Sequence, residues 1–252
     1  MKRLLVILAL LGCSLTTSAQ RVRVMSYNIK NGIGMDGIKS VERCADVIRK
    51  VNPDVVAIQE VDSMTRRNKK YVLGELAERA GYKYAYFGKA IDYKGGAYGV
   101  GVLSKKKARS IKCYPMPHKS EDRVVMVVEF RRYYLICTHL SGVPRRQGRG
   151  VQVDVIREVA SKLDKPIFIA GDMNALPHSA PMEAFQEFAT ILSDEDKLTA
   201  PSHSPSKCID YILGANGKFK KLKDCVIYDC LYSDHLPIYV DVKIGKANKS
   251  KR

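Results

Sequence analysis

Residues 166–174 read Pro-Ile-Phe-Ile-Ala-Gly-Asp-Met-Asn, an apolar run of strand length that ends in a glycine, a carboxylate and an amide. A short continuous apolar run of this kind reads as a strand buried in a sheet, with Asp172 at its edge. The same figure recurs outward in both directions. Upstream, Tyr133 to Thr138 runs into His139, Asp54 to Ile58 into Gln59-Glu60, and Val22 to Tyr27 into Asn28. Downstream, Ile238 to Ile244 begins just after Asp234-His235. Further strands are expected at Tyr98 to Ser104, Val124 to Phe130 and Ile209 to Leu213, and Tyr82 to Phe87 is strand-like. Helical patterns lie between them. Ser40 is placed to cap a helix with Val41, Cys44, Ile48 and Val51 on one face, which Asn52-Pro53 stops. Tyr71 to Ala80 is closed by Gly81, and Gln152 to Leu163 carries Val155, Ile156, Val159 and Leu163 on one side. The class is α/β.

Buried strands that release polar residues at their ends build a site at one rim of a sheet. A single strand-end Asp is usually a turn former. Asn28, Glu60, His139, Asp172 and His235 together carry more weight, because their chemistry converges. Phosphate oxygens repel a nucleophile, so cleaving a phosphate ester needs positive charge beside them, an activated water, and help for the departing oxygen. Carboxylates, an amide and two imidazoles suit that task. Mg²⁺ is the natural cation, since it is hard, prefers oxygen ligands and is held by one or two carboxylates plus the substrate. Such a site needs no motif of fixed spacing.

Seven segments in order carry a resemblance: Ser26-Tyr27-Asn28, Ile58-Gln59-Glu60-Val61, Gly99 through Ser104, Thr138-His139-Leu140, Gly171-Asp172-Met173-Asn174, Ile209-Asp210-Tyr211 and Ser233-Asp234-His235-Leu236-Pro237. They resemble the motifs of the endonuclease/exonuclease/phosphatase superfamily, which includes deoxyribonuclease I, the apurinic endonucleases, inositol-polyphosphate 5-phosphatases and neutral sphingomyelinases. The match spans about residues 22 to 244. The resemblance implies a four-layer α/β sandwich, two packed, mostly antiparallel β-sheets flanked by helices. It implies Glu60 as main metal ligand, with Asn28 beside it and Asp234 across from it. Asp172 would orient or deprotonate the attacking water and Asn174 support it. His235 would contact the scissile phosphate, oriented by Asp210. His139 would hydrogen-bond the phosphate or aid the leaving group, and Arg123 resembles a family arginine. Arg67, Arg149 and their neighbours Arg145 and Arg146 are candidates to line the cleft. His118, His178 and His203 read as solvated bystanders. Cys208 stands where related exported members often place an arginine, and the short interval between Asn174 and Asp210 supports an abasic-site pocket poorly.

The chain begins with basic Met1-Lys2-Arg3, an apolar run from Leu4 to Leu11, and small residues Thr17-Ser18-Ala19. That is the pattern of a secretory signal over 1–19, too short to span a bilayer. Leu10-Leu11-Gly12-Cys13 also resembles a lipoprotein box, so a periplasmic or secreted protein is expected, with anchoring through Cys13 as the alternative. One domain over 20–245 and a basic disordered tail over 246–252 complete the organisation, with no linker or repeat between them. Cys44 and Cys137 sit in apolar runs as buried thiols; Cys208, Cys225 and Cys230 are candidate bridge formers in an oxidising compartment.

The formal net charge is +17, from 43 basic and 26 acidic residues. A surplus that large favours a polyanionic partner, nucleic acid or an anionic lipid headgroup. A monomeric phosphodiesterase or nuclease with Mg²⁺, or alternatively Mn²⁺ or Ca²⁺, is the first reading. A sphingomyelinase-like or inositol-phosphate phosphoesterase is the second; the absence of any Trp disfavours a membrane wedge. A catalytically silent binding module is the third, against which the complete residue set speaks.

Overall fold

A computed structural model describes residues 20–116, 121–143 and 148–245. The leader over 1–19 with Cys13, His118, Arg145, Arg146 and the tail over 246–252 lie outside the described residues. Strand β1 (Gln20–Asn28) leads through helix α1 (Val41–Val51) to β2 (Val55–Thr65) and the short β3 (Asn68–Tyr71). Helix α2 (Val72–Ala80) precedes β4 (Tyr84–Tyr93), β5 (Gly96–Ser104), β6 (Ser110–Met116), β7 (Arg123–Glu129) and β8 (Tyr134–His139). Helix α3 (Gly148–Ser161) then leads to β9 (Ile167–Asp172), and α4 (Ala180–Gln186) to β10 (Ala189–Ile191). Strands β11 (Asp210–Ala215), β12 (Phe219–Val226) and β13 (Ile238–Ile244) finish the described chain.

Two sheets form. One runs β12–β13–β1–β2–β5–β4, with β3 beside β2; the other runs β10–β11–β9–β8–β7–β6. Each has a parallel pair at its centre, β1 with β2 and β8 with β9, reached through a crossover that contains α1 or α3. The neighbours on either side are antiparallel. This topology decides where the site lies. The C-terminal ends of β1, β8 and β9 release Asn28, His139 and Asp172, and Gln59-Glu60 stand in mid-β2 level with Asn28. The antiparallel neighbour β11 starts at the same rim with Asp210 opposite Asp172.

Side-chain alternation assigns the faces. Phe168 and Ala170 of β9, Leu135 and Cys137 of β8, and Ile212 of β11 share a core with β1 and β2 of the other sheet. Their neighbours Ile167, Ile169, Ile136 and Leu213 pack instead with Val153, Ile156 and Val159 of α3 and Met182 and Phe185 of α4. Helices α1 and α2 contribute Cys44, Ile48, Leu73 and Leu76 to the first core. The result is the expected four-layer sandwich. Asp172, His139 and Asp210 continue the inward-facing series of their strands, so they emerge between the sheets.

Glu60 reaches that rim by a different route. The β2–β5 register shifts between Ile58 and Val61, and Glu60 adopts φ 59°. A bulge of this type re-aims the side chain that strand alternation would send elsewhere. Gly171 has its own requirement: a Cβ there would collide with the Thr138 carbonyl oxygen of the parallel neighbour β8. Ser40 accepts from the Arg43 N–H and caps α1 as expected, and Asn52 closes it in the left-handed conformation.

The cysteine expectation needs correction. All six cysteines in the described residues are free. Cys230 Sγ lies 3.4 Å from the Tyr27 hydroxyl, and Cys225 Sγ faces the Val226 carbonyl at 3.4 Å. Cys208, the third expected bridge former, is buried with its Sγ toward the Asp194 carbonyl. Each sulfur is thus directed at an oxygen partner. No helix of the described residues is long and apolar enough to cross a membrane.

Candidate active site

The site is built around the Asp172 carboxylate, which is 1 % exposed. Its Oδ1 accepts the Asn174 backbone N–H at 2.9 Å, a turn that Asn174 permits by taking φ 47°. Its Oδ2 accepts from Asn28 Nδ2 at 3.1 Å and faces His139 Nε2 at 3.3 Å and His235 Nε2 at 3.6 Å. Burial alone would raise the pKa of Asp172. His235 and His139 more than offset this and hold it well below the ordinary carboxylate range.

His139 lies between Arg123 and Asp172. Arg123 Nη1 sits 3.2 Å from Nδ1, and Nε2 faces Asp172 Oδ2 at 3.3 Å. The Asn174 amide lies 3.1 Å from the same Nε2 and donates to the Leu140 carbonyl. Arg123 also pairs with Glu121 at 2.8 Å.

His235 is held at its other nitrogen by Asp210, Nδ1 to Oδ2 at 2.9 Å. Burial opposes its charge, but Asp210 and Asp172 outweigh burial and push its pKa up to about 10. Both ring nitrogens therefore carry protons at neutral pH. The pKa of Asp210 is raised, chiefly by burial. Asp172, Asp210 and His235 form a close cluster that has the ligand types for a metal. Within it, the His235 imidazole lies between the two carboxylates, with Nδ1 on Asp210 Oδ2 at 2.9 Å and Nε2 3.6 Å from Asp172 Oδ2.

The Glu60 side has a different character. Asn28 Nδ2 donates to Glu60 Oε1 at 3.1 Å as well as to Asp172, so one neutral amide fastens two carboxylates. Asn28 Oδ1 is taken by the Lys30 N–H at 3.0 Å, and its backbone carbonyl accepts from Ser233 Oγ at 2.6 Å. Among the described residues, Glu60 makes no ion pair. Asp234 lies beyond, paired with Lys30 Nζ at 3.0 Å and one-third exposed.

Ten of the expected residues fall into this picture, eight at the centre and two beside it. Asn28, Glu60, Arg123, His139, Asp172, Asn174, Asp210 and His235 are brought together, and Asp234 adjoins them through Ser233, whose Oγ is 3.4 Å from its Oδ1. Arg149 is not in the cleft as a free cation. Its Nη1 donates to the Asn174 carbonyl at 2.6 Å and to that of Ser141 at 3.3 Å, which braces the Gly-Asp-Met-Asn turn. Arg67 is bound by two hydrogen bonds to buried Asp62 at 2.7 and 2.8 Å and stacked over Tyr93 and Tyr98. His178 and His203 are exposed. The sequence reading missed Thr199, whose Oγ1 accepts the N–H groups of Ile209 and Asp210 at 3.2 and 3.3 Å and fixes the start of β11. It also missed the anchoring part of Ser233. Thr199 stands in an irregular segment with no motif, so only the fold reveals it.

A two-sheet α/β sandwich with these groups at one rim defines the class, the deoxyribonuclease I-like fold. Residues 25–235 match the Endonuclease/Exonuclease/phosphatase family, and the chain belongs to it. Members of that family are hydrolases acting on phosphoester bonds. Several solved structures share the fold. An endonuclease/exonuclease/phosphatase from Beutenbergia cavernae DSM 12333 is 23% identical, with 91% of this chain and 73% of that chain covered and a TM-score of 0.75. A mannosyl-6-phosphatase from Bacteroides thetaiotaomicron VPI-5482 is 16% identical, with 88% and 99% covered and a TM-score of 0.70. The human Nocturnin catalytic domain is 17% identical, with 89% and 94% covered and a TM-score of 0.67. No curated protein matches the sequence.

Proposed function

We propose that this chain is an exported, Mg²⁺-dependent phosphodiesterase, a nuclease in the first place, that hydrolyses its substrate by direct attack of water. The observation that carries the reading is the convergence of His139, His235 and Asn28 on one ionised, buried carboxylate, Asp172.

The donor set fits a hard divalent cation. Glu60 and Asp172 are held by a single neutral amide, and Glu60 makes no ion pair among the described residues, so negative charge there lacks compensation. Glu60 and Asp234, with Asn28 orienting Glu60, would hold it. Bound there, Mg²⁺ supplies positive charge to the phosphate oxygens and the departing oxygen.

The chain's own residues account for the rest. Asp172, kept ionised by its two histidines, accepts a proton from the attacking water. Asn174 fixes that carboxylate through its backbone N–H, and its own turn is braced by Arg149. His235, charged and steered by Asp210, donates its Nε2 proton in a hydrogen bond to a non-bridging phosphate oxygen. His139, held by Arg123 at Nδ1, presents Nε2 on the same side. The basic surplus supports a polyanionic substrate over a neutral one.

Asp172→Asn keeps the shape and removes the base. Loss of metal-dependent hydrolysis by roughly a thousandfold or more is expected, together with a lowered melting midpoint because buried His235 loses one of its two carboxylates, so the assay is run below that midpoint. Hydrolysis that survives this substitution would sink the mechanism. A panel of plasmid DNA, RNA, sphingomyelin, a phosphoinositide and a chromogenic diester, assayed with Mg²⁺ and with chelator, tests the substrate. Cleavage of sphingomyelin without action on nucleic acid would replace the nuclease reading.

A further inference from the structure

At the opposite end of the sandwich the two sheets part around a second cavity of about 900 Å³. It is lined by the start of β1, the loop before β2, the segment after β5 and the turn joining β7 to β8. β1 carries Gln20 at this end and Asn28 at the catalytic rim, so the two sites are about 26 Å apart. The volume is that of a small-molecule pocket.

Its charge is one-sided. Arg21, Lys106, Lys107, Arg131 and Arg132 surround it, and Asp54 is the sole acidic residue in the lining. Asp54, whose Oδ2 accepts the Arg23 backbone N–H at 2.9 Å, supplies one negative charge against five positive ones. Arg21 is paired with Asp241. Lys106, Lys107 and Arg131 are exposed and make no ion pair among the described residues. They come from two separate sequence segments, one following β5 of the first sheet and one in the turn between β7 and β8 of the second, and only the fold brings them to one cavity. Like charges gathered in this way repel one another and weaken the fold unless an anion is bound between them.

We propose that this cavity is a second anion site, distinct from the catalytic rim, that takes a phosphate-bearing ligand. The Arg131 fork can engage two phosphate oxygens at once, and two flanking ammonium groups match a multiply charged group better than a single carboxylate. The cavity is larger than an inorganic ion, which leaves room for the body of the molecule that carries the phosphate. That molecule is either a soluble phosphate compound or the headgroup of an anionic phospholipid; both present the same chemistry to these side chains.

The test uses the mature chain and the triple charge reversal K106E/K107E/R131E, with chelator present to disable the catalytic rim. Calorimetric titration with inorganic pyrophosphate is expected to show a site in the wild type. The reversal should weaken it by roughly tenfold or more, while Mg²⁺-supported hydrolysis of a small chromogenic diester stays within about twofold. Pyrophosphate should also raise the melting midpoint of the wild type and not of the reversal, which separates lost binding from lost folding. Co-sedimentation with phosphatidylglycerol vesicles, against phosphatidylcholine vesicles, distinguishes the two sources. Binding of both pyrophosphate and anionic vesicles supports a headgroup; binding of pyrophosphate alone supports a soluble compound. Pyrophosphate affinity that is absent in the wild type, or unchanged in the reversal, overturns the proposal. These outcomes are independent of the Asp172→Asn result.

Discussion

His235 sits between two carboxylates, and under the proposed mechanism the fate of its proton sets an alkaline limit to the reaction. Burial lowers an imidazole pKa from its ordinary value of 6.5, yet Asp210 and Asp172 push this one up to about 10. The charged form is therefore present below that value and is lost as pH rises through it. Stability follows the same sign: the contribution is full below about 6.5 and disappears as pH approaches 10. We expect the alkaline limb of kcat/KM to fall near 10, and Asp210→Asn to move that limb to lower pH, because the nearer carboxylate charge is gone. An alkaline limb that stays in place in Asp210→Asn would remove Asp210 from its orienting role. Arg67 is a second residue whose partner decides its part. With its guanidinium bound to Asp62, which is 0 % exposed, Arg67→Ala leaves a buried carboxylate uncompensated. A stability loss of about 3–5 kcal/mol by denaturant titration is expected, with KM unchanged in the protein that remains folded. A raised KM at undiminished stability would instead return Arg67 to the substrate cleft.

Between elements, the β1–β13 pairing contains a cross-strand charge pair that reports on sheet integrity. Arg23 opposes Asp241 directly, and Arg21 reaches the same carboxylate. The hydrogen bond from Arg23, then that from Arg21, outweigh burial and bring the Asp241 pKa down to about 2. A depressed carboxyl stabilises the fold above its unfolded pKa and ceases to do so as pH falls through the folded value. The stability difference between wild type and Asp241→Asn should therefore narrow by about 2 kcal/mol as pH drops from about 4 to about 2. A difference that is flat over that window would show the pair to be energetically idle. The same sheets show what a sequence reveals. β1, β5, β7, β8, β9, β11 and β13 are legible as apolar runs because central strands are covered on both faces. β12 and β6 are not, for they are edge strands. Lys220, Lys221 and Lys223 on β12 and Pro115 on β6 keep edges from pairing further and erase the strand signal in doing so. Asn28, Asp172 and His235 are legible since each ends or precedes an apolar run. The aim of Glu60 is not, because it depends on a bulge, and neither are the partners of Arg67 and Arg149, since a guanidinium's acceptor is chosen by tertiary proximity.

On the scale of the whole molecule, the candidate site occupies one end of the sandwich and a predominantly basic cavity the other. The basic surplus makes a quantitative demand on any polyanionic substrate. Each phosphate neutralised by Lys or Arg releases condensed counterions, so binding weakens with salt in proportion to the number of contacts. A small monoanionic diester touches only the catalytic rim, where charge is buried and poorly screened. If nucleic acid is the substrate, raising salt from about 50 to about 200 mM should raise KM for DNA by roughly tenfold or more. KM for the chromogenic diester should change by no more than about twofold. Measuring both on one preparation cancels any general effect of salt on the fold or on metal binding. Equal responses of the two substrates would mean that the basic surface takes no part in substrate binding, and the nuclease reading would then lose its electrostatic support while the water-attack mechanism at Asp172 stood unaffected.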